Sequence, residues 1–156
     1  MDNNSQVSCG GRFRFKVYDS ITGEFKRETD WIKNKIVSSN DYGLNIICQH
    51  LSGVTTLPLE ITQAKIGTGT TPTTLAMTDL EVLVVSNIIR ANQSVTNNSV
   101  VLEFFIPDAD IPNGTYTEFG IFSASQMFAR AIISPSFTKS TNEDLSCEYE
   151  ITFTSI

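Results

Sequence analysis

The last stretch of the chain constrains the fold most. Leu145, Cys147, Tyr149, Ile151 and Phe153 alternate with Ser146, Glu148, Glu150, Thr152 and Thr154. Five consecutive steps of period two predict a long strand with one dry and one wet face. Such a strand needs sheet neighbours on its edges and a partner layer over its dry face. The same rule reads Arg12 to Tyr18: Phe13, Phe15 and Val17 point one way, and Arg12, Arg14 and Lys16 the other. Asp19–Gly23 is a turn signal, and Glu24–Thr29 can return as the second strand of a hairpin.

The interior supplies more strands. Ile61–Ile66, Leu80–Ile89, Val100–Ile106, Tyr116–Phe122 and Met127–Ile133 have the length and the β-branched or aromatic content of strands. The runs Val82–Val85 and Val100–Ile106 read as packed on both faces. One helix is predicted at about 41–52. Ser39, Asn40 and Asp41 offer capping oxygens, Leu44, Ile47, Cys48 and Leu51 recur at helical spacing, and Gly53 supplies a stop. Gly43 inside it costs up to about 1 kcal/mol relative to Ala. Cys48 and Cys147 both fall on apolar faces and read as core thiols. The expected architecture is a mainly β, jelly-roll-like antiparallel sandwich of eight or nine strands with one short helix. Residues 12–156 form its single domain. Residues 1–11 are polar and aperiodic, and read as a flexible arm, either a frayed end or a segment that orders against a neighbouring subunit.

Composition narrows the function classes. Charged residues are 18% of the chain, and the 11 basic against 17 acidic side chains give −6. No Lys/Arg run exceeds two residues, so nucleic acid is not an expected partner. The basic face of Arg12, Arg14 and Lys16 is followed at once by Glu24, Glu28 and Asp30 and reads as ion-paired. No apolar stretch is long enough to span a membrane. Met1–Gln6 has neither the positive patch nor the apolar run of a secretory leader, and three dispersed cysteines read as reduced thiols. The expectation is a protein made in a cytoplasm, with neither membrane nor glycan attachment.

Motifs for chemistry are weak. His50 is the one histidine, two residues from Cys48 and therefore off its helix face. Gly67-Thr68-Gly69 lacks the Lys-Ser/Thr of a phosphate-binding loop and reads as a turn. Asp108, Asp110, Asn113 and Glu118 resemble a set of oxygen ligands for calcium, but miss the required spacing, so solvated turn carboxylates are expected. No cofactor or metal is expected. Glu118 and Arg130 lie in successive strands and are predicted to form a structural cross-strand pair. Trp31 and Tyr116 are the candidate platforms if the domain is instead a lectin-like module for host glycans.

One ordered set of motifs resembles a known group. It comprises Asn40-Asp41-Tyr42-Gly43-Leu44, Ile66-Gly67-Thr68-Gly69 with Pro72, Asp79-Leu80-Glu81, Glu118-Phe119-Gly120-Ile121-Phe122, Met127-Phe128-Ala129-Arg130, Lys139 and the closing alternating strand. Together, over residues 36–156, they look like the small β-sandwich structural proteins of tailed bacteriophages found with tail fibres, collars and related virion parts. Phe119 departs from the aliphatic residue expected there, and Thr78-Asp79 reverses the usual order. The resemblance implies a non-enzymatic virion protein assembled in the host bacterial cytoplasm. It implies a homo-oligomeric tail, collar or fibre-base adaptor whose partners are other virion structural proteins, or alternatively a capsid-surface decoration or head-fibre protein.

Overall fold

The computed structural model describes residues 6–156. They form ten strands and one α-helix, all strand pairings being antiparallel. In chain order these are β1 (Val7–Asp19), β2 (Phe25–Glu28), β3 (Ile32–Lys33), β4 (Lys35–Ile36), α1 (Leu44–Leu51), β5 (Gln63–Gly67), β6 (Leu83–Thr96), β7 (Ser99–Ile106), β8 (Gly114–Ser123), β9 (Gln126–Lys139) and β10 (Glu143–Ser155). The sheet runs β2-β1-β10-β7-β6-β5-β8-β9-β4, with β3 beside β1.

The sheet curls because β6 belongs to both halves. Leu83–Ile89 pairs with β5 and Arg90–Thr96 pairs with β7. Asn87, at φ 58°, and a register shift between Arg90 and Asn92 mark the bend. On the far side the chain crosses back at residues 32–36: β3 pairs with β1, β4 with β9, and Asn34 N–H donates to Gly11 O between them. The two halves therefore face each other. Phe13 and Phe15 on β1 meet Phe119 on β8 at 5.2 and 5.4 Å between ring centroids, and Phe15 meets Phe137 on β9 at 4.9 Å. Aromatic rings at these separations fill the space between layers and add edge-to-face attraction to their buried area. The alternation of β10 is realised as expected, with Leu145, Cys147, Tyr149 and Ile151 buried.

Several expectations are corrected. The arm predicted over residues 1–11 is strand from Val7 onward, since Val7–Gly11 pairs with Ile151–Ser155. A ladder needs only backbone groups, which a polar, aperiodic side-chain pattern does not reveal. Residues 1–5 lie outside the described residues. The helix begins at Leu44, later than predicted. Its N-cap is Gly43 at φ 52°, and no side chain caps it; Leu44 N–H donates to Val37 O and Gly43 N–H to Met127 O instead. The helix meets the sheets over a single turn, so Ile46 is buried while Leu44, Cys48 and Leu51 are exposed. Cys48 is thus not a core thiol. The Val82–Val85 run is not packed on both faces: Val82, Leu83 and Val84 are between 43 and 48% exposed, and Val85 is half-buried against the core. In β7, Leu102, Phe104 and Ile106 are buried but Phe105 is exposed, so this strand too has one wet face.

Candidate functional site

The densest polar cluster in the core centres on Glu118 and Arg130, both without exposed surface. Arg130 stands opposite Gly120 and Glu118 opposite Ile132, so the pair is diagonal across β8 and β9. Arg130 Nε donates to Glu118 Oε2 at 2.8 Å, and Nη2 makes an ion-pair contact with the same oxygen at 2.7 Å. Nη1 donates to Thr71 O and Thr73 Oγ1 at 2.8 and 3.0 Å.

The carboxylate does more than pair. Its Oε1 accepts from Gly69 N–H at 2.9 Å and Val82 N–H at 2.7 Å, and its Oε2 from Glu81 N–H at 3.0 Å. Both ends of the 68–82 loop are therefore tied to one buried side chain. Glu81 binds the loop within itself, accepting from Thr70 and Thr71 N–H at 3.0 and 2.8 Å. Burial pushes the Glu118 carboxyl up, but the N–H groups of Val82, Glu81, Arg130 and Gly69 outweigh it and hold it below the usual carboxylate range. The glycines of the 67–69 turn have a packing reason. A Cβ on Gly67 would lie 2.2 Å from Val82 O, and one on Gly69 2.6 Å from Glu118 Oε1. The turn cradles a protein carboxylate with its backbone.

Two further ion-pair groups frame the sheets. Glu143 accepts from Arg27 Nη1 at 2.6 Å and Lys26 Nζ at 2.9 Å, and these cations hold its carboxyl far below the ordinary range. The basic face of β1 is paired largely along β10: Arg12 with Glu150 at 3.3 Å, and Lys16 and Arg14 with Glu148 at 2.9 and 3.4 Å. Arg14 also reaches Glu28 at 3.5 Å.

The oxygen-rich loop at 108–113 holds a cation of the chain itself. Lys139, 2% exposed, puts its ammonium against Asp108 Oδ1 and 3.0 Å from Asn113 Oδ1. Glu118 lies with Arg130, away from this loop, so the four residues read as calcium-like are not assembled. Among the described residues no three His, Cys, Asp or Glu side chains are grouped as a metal site, and no helix is long and apolar enough to cross a membrane.

Of the two candidate glycan platforms, Trp31 is half-buried and Tyr116 is buried. Arg12 and Arg14 stack on Trp31 with guanidinium carbons 4.3 and 4.6 Å from the ring. Tyr116 is 2% exposed and donates its hydroxyl to Pro112 O at 2.6 Å. His50 Nε2 lies 2.6 Å from Leu57 O, while Cys48 faces solvent.

Sequence spacing paired Glu118 with Arg130 but gave no sign of the three amides, of Glu81 or of Thr71 and Thr73. These come from a loop whose path no periodicity encodes. No family model, no curated protein and no solved structure matches this chain.

Proposed function

We propose that this chain is a non-enzymatic structural protein of a tailed-bacteriophage particle. It acts as a homo-oligomeric adaptor at the tail, collar or fibre base and anchors neighbouring virion proteins. The observation that carries this reading is where the motif residues sit. Gly67, Gly69, Glu81, Glu118 and Arg130, which carry the resemblance to that group, converge on one buried clamp. Asp79 pairs with Lys65 at 2.9 Å, and Lys139 is buried against Asp108 and Asn113. The ionisable groups of the motif are spent on holding loops to a sheet, which suits a protein that works by shape.

Mass spectrometry of gradient-purified particles, followed by localisation in particle reconstructions, tests the proposal. A stoichiometric, symmetric location at the tail, collar or fibre base is expected. Absence from intact particles, or substrate turnover by the purified chain, overturns it.

A further inference from the structure

We infer that Lys139 and Asn113 join through a side-chain amide, formed within the folded chain with Asp108 as proton carrier and ammonia as leaving group. The inference is independent of where the chain works.

Lys139 is the one buried lysine among the described residues, at 2% exposure. An ammonium is costly to bury and stays buried only where it meets partners. The sheet sets its position. Lys139 ends β9 opposite Gly114, the first residue of β8, so Asn113 lies one residue before the position that faces it. Phe137 and Lys139 are both buried, as alternate residues of one strand face. Nζ meets Asp108 Oδ1 and lies 3.0 Å from Asn113 Oδ1 and 3.4 Å from Asp108 O. Lys26 and Lys65 hydrogen-bond to carboxylates; Lys139 is held between a carboxylate and a primary amide.

Both partners are fixed. Asp108 N–H donates to Asp144 Oδ1 at 2.8 Å, and Asp108 Oδ1 accepts from Glu143 N–H at 3.2 Å. Asn113 Nδ2 donates to Thr141 Oγ1 at 2.7 Å, which turns the amide with its oxygen toward Lys139. A nucleophile, an acyl carbon and a base therefore stand within one side chain's reach.

The step balances without a cofactor and without a change of oxidation state. The pair starts charged, since Lys139 holds the Asp108 carboxyl below its ordinary range. Nζ passes a proton to Asp108, and the neutral amine adds its lone pair to Asn113 Cγ while the carbonyl π pair moves to Oδ1. The carbonyl then re-forms and the Cγ–Nδ2 bond breaks. Two protons leave Nζ in turn through Asp108. One completes ammonia on Nδ2, the other departs with it as ammonium, and Asp108 ends ionised. The neutral amine is a minor species, but the reaction draws on it once per molecule. Reactants held in place react at effective molarities of about 10⁵–10⁸ M. An open cleft of about 680 Å³, lined by Asp110, Asn113, Lys139 and Thr141, lets ammonia out. The product ties the 107–113 loop to the end of β9 by a covalent ring.

The intact mass of the full chain under denaturing conditions, with sequencing of its digest, tests this. After prolonged incubation in native buffer the wild type is expected one ammonia lighter than its sequence. Its digest is expected to contain a branched peptide joining Asn113 to Lys139. Lys139→Met and Asp108→Ala are expected at full mass. A wild type at full mass overturns the bond, as does simple deamidation of Asn113. Ammonia loss that persists in Lys139→Met marks closure of Asn113 onto the Gly114 nitrogen and overturns it too. Ammonia loss that persists in Asp108→Ala overturns the role given to Asp108. Where either variant does not fold, the presence or absence of the branched peptide in the wild type decides.

Discussion

Glu118 Oε2 receives both Arg130 Nε and Nη2, at 2.8 and 2.7 Å, in a part of the core where neither side chain has exposed surface. Removing one partner strands the other charge, and such losses cost about 3–5 kcal/mol. Glu118→Gln and Arg130→Met are each expected in that range by urea denaturation. The double variant is expected to cost less than the sum, with a coupling of about 0.5–3 kcal/mol. Additive losses would mean that the three loop amides, and not the guanidinium, account for the role of Glu118.

Acid is expected to destabilise the fold from a definable set of carboxyls. Glu118 and Glu143 titrate below their ordinary range, Glu118 because amides and Arg130 outweigh burial, Glu143 because of Arg27 and Lys26. A carboxyl lowered in the folded state contributes its full stability above its unfolded pKa, about 4.3 for Glu. That contribution shrinks as pH falls below this value towards the folded pKa. Stability measured by denaturant titration is therefore expected to be flat near neutrality and to decline below about pH 5. Glu143→Gln lowers the neutral plateau and flattens the decline. A variant curve parallel to the wild type at every pH would remove Glu143 from the account.

The parts of the fold that were legible are those where one strand carries its own pattern. Phe13, Phe15 and Val17 in β1 and Leu145–Ile151 in β10 are buried as their alternation requires. The helix was legible as an element but not in its facing, because its contact buries Ile46 and half-buries Ile47 against the core while Leu44, Cys48 and Leu51 of the stripe are exposed. The exposed Val82, Leu83 and Val84 show the same limit: apolar content tells of strand, but which strand lies on the bend of a curl depends on pairings tens of residues away. At the clamp, Glu118 and Arg130 could be matched by strand adjacency and opposite charge. The amides of Gly69, Glu81 and Val82 could not, since a backbone N–H carries no residue identity.

The three thiols are expected to separate by reactivity. Cys48 is exposed on α1, Cys9 is partly covered, and Cys147 is fully enclosed with its thiol pushed well up by burial. A thiolate-directed reagent at pH 8 is expected to label Cys48 in the native state within minutes and Cys9 more slowly. Cys147 should react only at the rate of unfolding, so its labelling reports global opening. Peptide mapping after timed quenching checks the order. Early labelling of Cys147 would contradict the placement of β10 between β1 and β7.

Gly43 should be the least replaceable glycine before the helix. It sits at φ 52° and ψ −122°, a region closed to side-chain-bearing residues, and an added Cβ would fall 1.9 Å from Val37 O. That carbonyl already accepts Leu44 N–H at 2.9 Å, the bond that starts α1, so relieving the clash displaces the helix start itself. Gly53, at φ 86° past the helix end, has nothing within 4 Å of its Cβ position. Gly53→Ala is therefore expected to cost about 1–2 kcal/mol, the strain of a left-handed conformation alone. Gly43→Ala should cost more than that, about 3 kcal/mol by strain and lost contact together. Paired thermal and urea melts of the two variants make the comparison. Equal losses would mean that backbone conformation alone, and not the approach of Val37, demands glycine at this corner.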